Sequence, residues 1–260
     1  MNIFVFVKRV PDTESKIRIS HPTNSVVEEG LNFILSPYDE FAVEEGLRLR
    51  EAKGGKVAIF SVGSEESLVI LKKCLAMGAD EAFLLEDKAA ETYDGLRTAR
   101  IIARALEKKF PDYNLLLFGK QSVGADNSHV PSMVAELLAL PQVNVVTKLE
   151  VEGDKGTAQR EIEGAMEKVA FSLPAVVSAQ KGLNEPRYET LRGIMMAKKK
   201  EIPVITIEDL GLKKEDVAPC IEIIKMESPS PRQAGKIIDD PPQEAARKLA
   251  EFLHKEAKVV

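Results

Sequence analysis

The chain has 260 residues, 44% hydrophobic and 30% charged, with a formal net charge of −5 from 36 basic and 41 acidic side chains. A chain this long buries about three-quarters of its unfolded surface and needs no disulfide or metal staple; its composition is neither collagenous nor low-complexity. The acidic balance speaks against a nucleic-acid binder, and two cysteines without a CxxC exclude a four-cysteine zinc site and a thioredoxin-like dithiol. The run Ile3–Val7 is followed, not preceded, by Lys8 and Arg9 and is too short for a signal segment. No apolar run reaches the ~18 residues of a membrane span. The expected location is cytoplasmic, or the mitochondrial matrix in a eukaryote.

Residues 2–7 are apolar and rich in β-branched and aromatic types, which predicts a strand buried on both faces. Residues 57–62, 82–85 and 114–118 have the same character. Ser36-Pro37-Tyr38-Asp39 starts a helix, with Ser at N-cap, Pro at N1 and a carboxylate at N3, and Gly54-Gly55 ends it near Lys53. A second helix is expected over about 65–77, with Leu68, Leu71 and Leu75 on one face and Gly78 as its stop. A third covers about 93–109. A fourth follows Gly124-Ala125-Asp126 and runs to about Leu140, Asp126 serving as N-cap. Strands alternating with helices require crossover connections, hence an α/β fold with a doubly wound, mostly parallel sheet. After Pro141 the pattern becomes short strands at about 143–151, 157–162, 167–171 and 175–178, with hairpin spacing that suggests added antiparallel strands. One more strand is expected at 203–207. From Gly211 the chain reads as an extended arm, stiffened by Ser228-Pro229-Ser230-Pro231 and Pro241-Pro242 and ending in an amphipathic helix over about 244–255.

Four stretches are candidates for chemistry. Residues 119–126 lie between a buried strand and a helix, where open parallel sheets bind ligands and free N–H groups attract phosphate. They form neither GxxxxGK[ST] nor GxGxxG, so ATP hydrolysis and NAD binding lose support; an ordinary strand-to-helix loop is the plain alternative. Ser36–Asp39 reads first as a helix start. Residues 159–164 alternate charges as a solvated strand does, and no nucleophile or histidine adjoins their carboxylates. Residues 183–200 combine the Asn184-Glu185-Pro186 turn, a short helix with Met195 and Met196, and the run Lys198-Lys199-Lys200. Those lysines are either wet surface or a docking site for an acidic partner. Cys74 and Cys220 read as structural, and no metal-ligand spacing is present.

Together these segments resemble the β subunit of electron transfer flavoprotein over nearly the whole chain. The resemblance rests on Val7–Asp12, Ser36–Glu45, Ala76–Asp80, Gly119-Lys120-Gln121, Gln159–Glu167, Leu173–Ser178, Leu183–Tyr188 and Lys198–Lys200. It implies a Rossmann-like, adenine-nucleotide-binding domain over 1–210 and an arm over 211–260 that docks on an α subunit. It also implies a heterodimer whose α subunit holds the redox-active FAD. Electrons would arrive from flavin dehydrogenases such as acyl-CoA dehydrogenases and leave to a quinone oxidoreductase or other acceptor, so the chain itself is a carrier subunit, not an enzyme. By match to the family's nucleotide pocket, Phe6, Ser36, Pro37, Tyr38, Asp39 and Val62 contact a structural AMP. The stretch Gly124, Ala125, Asp126, Asn127, Ser128, His129, Val130, Pro131, Ser132, Met133, Val134 and Ala135 completes that pocket. Leu183, Asn184, Glu185, Pro186, Arg187, Tyr188, Leu191, Lys198, Lys199 and Lys200 form the partner-recognition loop, and Glu161 is the acidic residue that holds the mobile flavin domain. Gly124-Ala125-Asp126-Asn127 matches neither the acidic run of many AMP-type members nor the Asp-Gly-Asp-Thr string of electron-bifurcating ones. A second FAD in place of AMP therefore stays open, as does a stand-alone adenine-nucleotide-binding module.

Overall fold

The computed structural model describes residues 1–20, 22–87, 94–230 and 234–259. The elements run β1 (Asn2–Phe6), β2 (Arg9–Pro11), β3 (Ile19–Ser20), β4 (Ser25–Val26), β5 (Phe33–Leu35), α1 (Pro37–Lys53), β6 (Lys56–Gly63), α2 (Leu68–Met77), β7 (Glu81–Glu86) and α3 (Gly95–Lys108). They continue with β8 (Leu115–Gly119), α4 (Val130–Leu137), β9 (Gln142–Glu152), β10 (Lys155–Ile162), β11 (Ala165–Ser172), β12 (Ala175–Ala179), α5 (Leu191–Lys199), β13 (Val204–Thr206) and α6 (Pro242–Phe252). Tyr93, the expected start of the third helix, and Pro231 lie outside the described residues.

Among the described residues, nine strands form one sheet in the order β11-β10-β9-β12-β8-β1-β6-β7-β13. From β9 through β12 to β13 all neighbours are parallel; β10 and β11 add an antiparallel hairpin extension. The chain leaves β1 toward β6 and β7, then returns to β8 on the other side of β1. This places a topological switch point between β1 and β8, where open α/β sheets bind ligands.

Period-2 alternation along β1 sends Ile3 and Val5 to one face and Phe4 and Phe6 to the other. The first pair joins Leu47 of α1 and Leu71 of α2 in one core. The second joins Phe60, Phe118 and Ile102 of α3, with Val134 of α4, in the other. Residues 3–6 are therefore buried on both faces, as their unbroken apolar character predicts.

Three sequence expectations need correction. β12 is not an antiparallel addition: it sits parallel between β8 and β9, all five residues buried. The second helix begins as a 3-10 turn at Glu65–Ser67 before α2 proper. α4 starts at Val130 with His129 as N-cap, because Gly124, Asp126 and Ser128 all hold positive φ and keep the loop out of helix. Asp126 therefore caps nothing; its carboxylate accepts from the Gln121 amide at 2.6 Å. By its contacts the first compact unit runs from Met1 to Lys225. Leu210 and Val217 are fully buried, and Arg97, Arg100 and Arg104 along α3 donate to the carbonyls of Val217, Asp216 and Leu210.

Residues 226–260 form a second unit. Its helix α6 starts at Pro242 and passes into a π turn, Leu253–Ala257; none of its residues is buried. Lys248 pairs with Asp240 at 2.8 Å and Lys255 with Glu251 at 2.5 Å.

Candidate functional site

At the carboxyl ends of β1, β6 and β8 the first unit encloses a cavity of about 130 Å³. Its floor is aromatic: Phe6 stacks on Phe118 with centroids 4.6 Å apart and on Phe60 at 5.3 Å. With both faces of Phe6 covered by these neighbours, the row turns ring edges toward the cavity and makes its floor apolar. One wall comes from the loop after β8, with Gly119, Lys120, Gln121, Ser122, Ala125, Asn127 and Ser128. Gln121 organises that loop, donating to Asp126 and accepting from the Ser128 hydroxyl at 2.6 Å. His129, Val130 and Pro131 at the start of α4 face the first turn of α3, Asp94, Gly95 and Thr98, across the cavity. His129 packs so closely on Gly95 that a Cβ there would lie 2.1 Å from its Nε2.

The two helix starts differ electrostatically. Asp94 caps α3 with its own carboxylate, accepting from Leu96 and Arg97 N–H, while its other oxygen takes Cys220 N–H at 2.6 Å. Burial pushes this carboxyl upward, but those backbone donors outweigh it and hold the group below its ordinary value. A charged carboxylate already occupies that end. The first turn of α4 has no side-chain cap, so its N–H dipoles remain the end suited to an anion.

Asp39 closes the site from α1. Its Oδ2 accepts from Lys8 N–H at 2.8 Å and its Oδ1 from Gly119 N–H at 3.2 Å, so one side chain ties the ends of β1 and β8 across the switch point. Ser36, the expected N-cap, makes no side-chain cap bond, and its buried hydroxyl has no hydrogen-bond partner among the described residues. Burial of Asp39 raises its pKa from 3.8 to about 7 against the opposing pull of the two N–H donors. Burial likewise lowers that of Lys8, opposed by the Asp39 charge. A carboxyl whose folded pKa exceeds its unfolded value binds its proton more tightly in the folded state. Its contribution to stability therefore falls as pH rises from 3.8 through about 7. Urea unfolding at about pH 5 and about pH 8 should show a smaller loss of stability in Asp39→Asn than in the native chain. The same pH dependence in both would show that Asp39 does not titrate in this window.

Of the expected nucleotide contacts, Phe6, Asp39, Val62, Ala125, Asn127, Ser128, His129, Val130 and Pro131 line the cavity. Ser36, Pro37, Tyr38, Gly124, Asp126 and Met133 are not part of the lining, and Met133 packs against the core under α4. Ser132 is engaged by Asn144 at 3.0 Å, and Val134 and Ala135 belong to the core under α4. Lys120, from the candidate stretch 119–126, lines it too, while Lys8, Phe60, Asp94, Gly95, Thr98 and Phe118 join the lining without having been expected. They stand at the ends of β1, β6 and β8 and at the start of α3, distant in sequence; only the rule that ligands sit at strand carboxyl ends could have found them.

The expected recognition residues form a separate surface. Leu183 is buried, while Tyr188 is 93%, Leu191 84% and Met195 66% exposed. Lys198 and Lys199 are exposed; the Lys200 ammonium instead donates to the carbonyls of Ala79 and Asp80. Leu191 thus belongs to no core. Glu161 is exposed near the tip of the β10–β11 hairpin, opposite Met166. Cys74 is buried and Cys220 exposed, both unbridged. Among the described residues no His, Cys, Asp and Glu group could hold a metal, and no helix is long and apolar enough to cross a membrane.

A family model for the electron transfer flavoprotein domain matches residues 23–210. The electron transfer flavoprotein subunit beta of Bacillus subtilis is 39% identical over 262 residues, covering all of both chains. That of Thermoanaerobacterium thermosaccharolyticum is 38% identical over 98% of each. The mouse subunit is 40% identical over 90% of this chain and 91% of its own.

Proposed function

The chain belongs to the electron transfer flavoprotein β-subunit family, and from that premise we propose a division of labour between its two surfaces. The cavity at the β1/β8 switch point holds AMP as a structural ligand, and the exposed face of residues 188–196 receives a flavin dehydrogenase such as an acyl-CoA dehydrogenase. The flavin of an α-subunit partner supplies the redox chemistry. Electrons then pass to a quinone oxidoreductase or another acceptor. This chain's own residues bind, orient and exclude water; Glu161 on the hairpin tip faces the mobile flavin domain.

The observation that carries the nucleotide reading is the cavity itself, with its stacked phenylalanine floor and the uncapped start of α4. The apolar phenylalanine floor suits an adenine, and the Val130 and Ser132 N–H groups suit a phosphate. Lys8 and Lys120 line the same cavity and add positive charge that the helix start alone lacks. Nucleotide released by heat from the purified complex should be AMP by mass spectrometry, with one FAD per heterodimer. Two FAD would assign the cavity to a second flavin; no adenine species would remove the assignment.

The arm reading rests on α6, whose Leu249 is 48% exposed in a helix with no buried residue. Deleting residues 228–260 should lower the heterodimer's stability, read as dissociation at lower denaturant, while the nucleotide domain stays folded. A truncated chain that holds its partner as firmly as the intact one would reduce the arm to a tail.

A further inference from the structure

We propose that Arg187 is a positioning residue: its guanidinium, forked between Glu44 and Glu51 of α1, holds residues 184–190 on that helix and so fixes Leu191 and α5 in the orientation that meets the dehydrogenase. This rests on the docking reading above, and it removes Arg187 from the residues that touch the partner.

The geometry is specific. Arg187 Nε and Nη2 donate to the two oxygens of Glu44 at 2.8 and 3.0 Å, and its backbone N–H adds a third bond at 3.1 Å. Nη1 and Nη2 reach Glu51 at 2.6 and 3.1 Å. The Glu44 side chain is only 6% exposed, so its charge needs a partner, and a bidentate guanidinium satisfies both oxygens as an ammonium cannot. Next to it Asn184 donates to the Phe41 carbonyl at 3.0 Å and to Glu45 at 2.9 Å.

α5 is also held from the other side. Gly193 lies so close to α2 that a Cβ would sit 2.1 Å from the Ala76 carbonyl oxygen. Lys200 closes the far end on Ala79 and Asp80, and Thr190 caps Gly193 N–H at 2.9 Å. A helix of 9 residues is not stable alone; these pins make it a rigid platform with Tyr188, Leu191 and Met195 turned outward. Ordering the segment before encounter removes an entropic cost from binding.

The test uses the flavin-loaded heterodimer carrying Arg187→Gln, Arg187→Lys or Leu191→Ala. Amide hydrogen exchange over residues 184–192 is followed in the complex alone, and KM and kcat are measured with a substrate-reduced acyl-CoA dehydrogenase. Arg187→Gln should speed exchange and raise KM about fivefold with kcat unchanged; Arg187→Lys, which keeps the charge but not the fork, should fall between. Should Arg187→Gln not fold, Glu51→Gln removes the exposed half of the latch and should shift both readouts less, in the same direction. Unchanged exchange, or a fall in kcat at constant KM, overturns the proposal. Faster exchange in Arg187→Gln with a native KM in Leu191→Ala keeps the ordering role and sinks the docking reading instead.

Discussion

Leu191→Ala is expected to raise the KM for the dehydrogenase at least about tenfold while thermal stability and flavin content stay native. Leu191 opens α5 at 84% exposure, so removing its side chain opens no cavity in this chain. In a partner's pocket the same side chain becomes a buried anchor, and such anchors carry a large share of binding energy. Burying one leucine contributes about 1.5–3 kcal/mol, or roughly ten- to a hundredfold in affinity. A fold back onto Met195, an i,i+4 neighbour, does not shield it, since Met195 is itself 66% exposed. On the proposed docking reading, Lys198 and Lys199 at the end of α5 would steer encounter, so raising ionic strength should slow association more than it speeds release. Steady-state kinetics with a melting curve on the same preparation decides the matter. A lower melting temperature with a native KM would make Leu191 a stability residue.

Gly119→Ala should reduce both stability and bound nucleotide. Gly119 is the last residue of β8, where the chain turns into the cavity wall. A Cβ there would lie 2.2 Å from Asp39 Oδ1, 2.7 Å from the Tyr38 carbonyl carbon and 2.8 Å from Asp39 N. Two of those atoms are backbone, so relief requires the start of α1 to move away from β8. That movement breaks the Gly119 N–H to Asp39 bond and leaves a buried carboxylate short of one donor. Overpacking of this kind costs about 1–3 kcal/mol, and each kcal/mol lowers the melting temperature by about 2–4 °C in a domain of this size. The cavity shares this wall, so nucleotide recovered after gel filtration should fall with it. A variant with native melting and full nucleotide content would show that α1 and β8 are not tightly joined at the site.

The strand and helix order was legible because each element carries its own period. Residues 2–7 and 114–118 are apolar without alternation, the mark of strands covered on both faces, and they became β1 and β8. Gly54 and Gly78 ended α1 and α2 where expected, since both take positive φ at the stop. The order of strands was less legible. β12 looked like one more member of a hairpin series, because a five-residue apolar run does not say which neighbour it will pair with. Its place between β8 and β9 comes from burial on both faces, which only a central parallel position provides.

The family and the two candidate surfaces follow from local strings: Ser36–Asp39, the loop after residue 119, and Leu183–Lys200. What those strings do to one another was decided by tertiary structure alone. Asp39 reads as a helix-start carboxylate, yet in the fold it ties β1 to β8 and takes a raised pKa from burial. Asp94 and the α3 start enter the cavity opposite α4. Arg187 reads as part of a recognition loop, yet it is satisfied from within by Glu44 and Glu51. The reason is common to all three. Periodicity and capping are fixed by residues within about a turn of each other, whereas a buried charge takes its role from groups that the sheet's crossover connections bring to it.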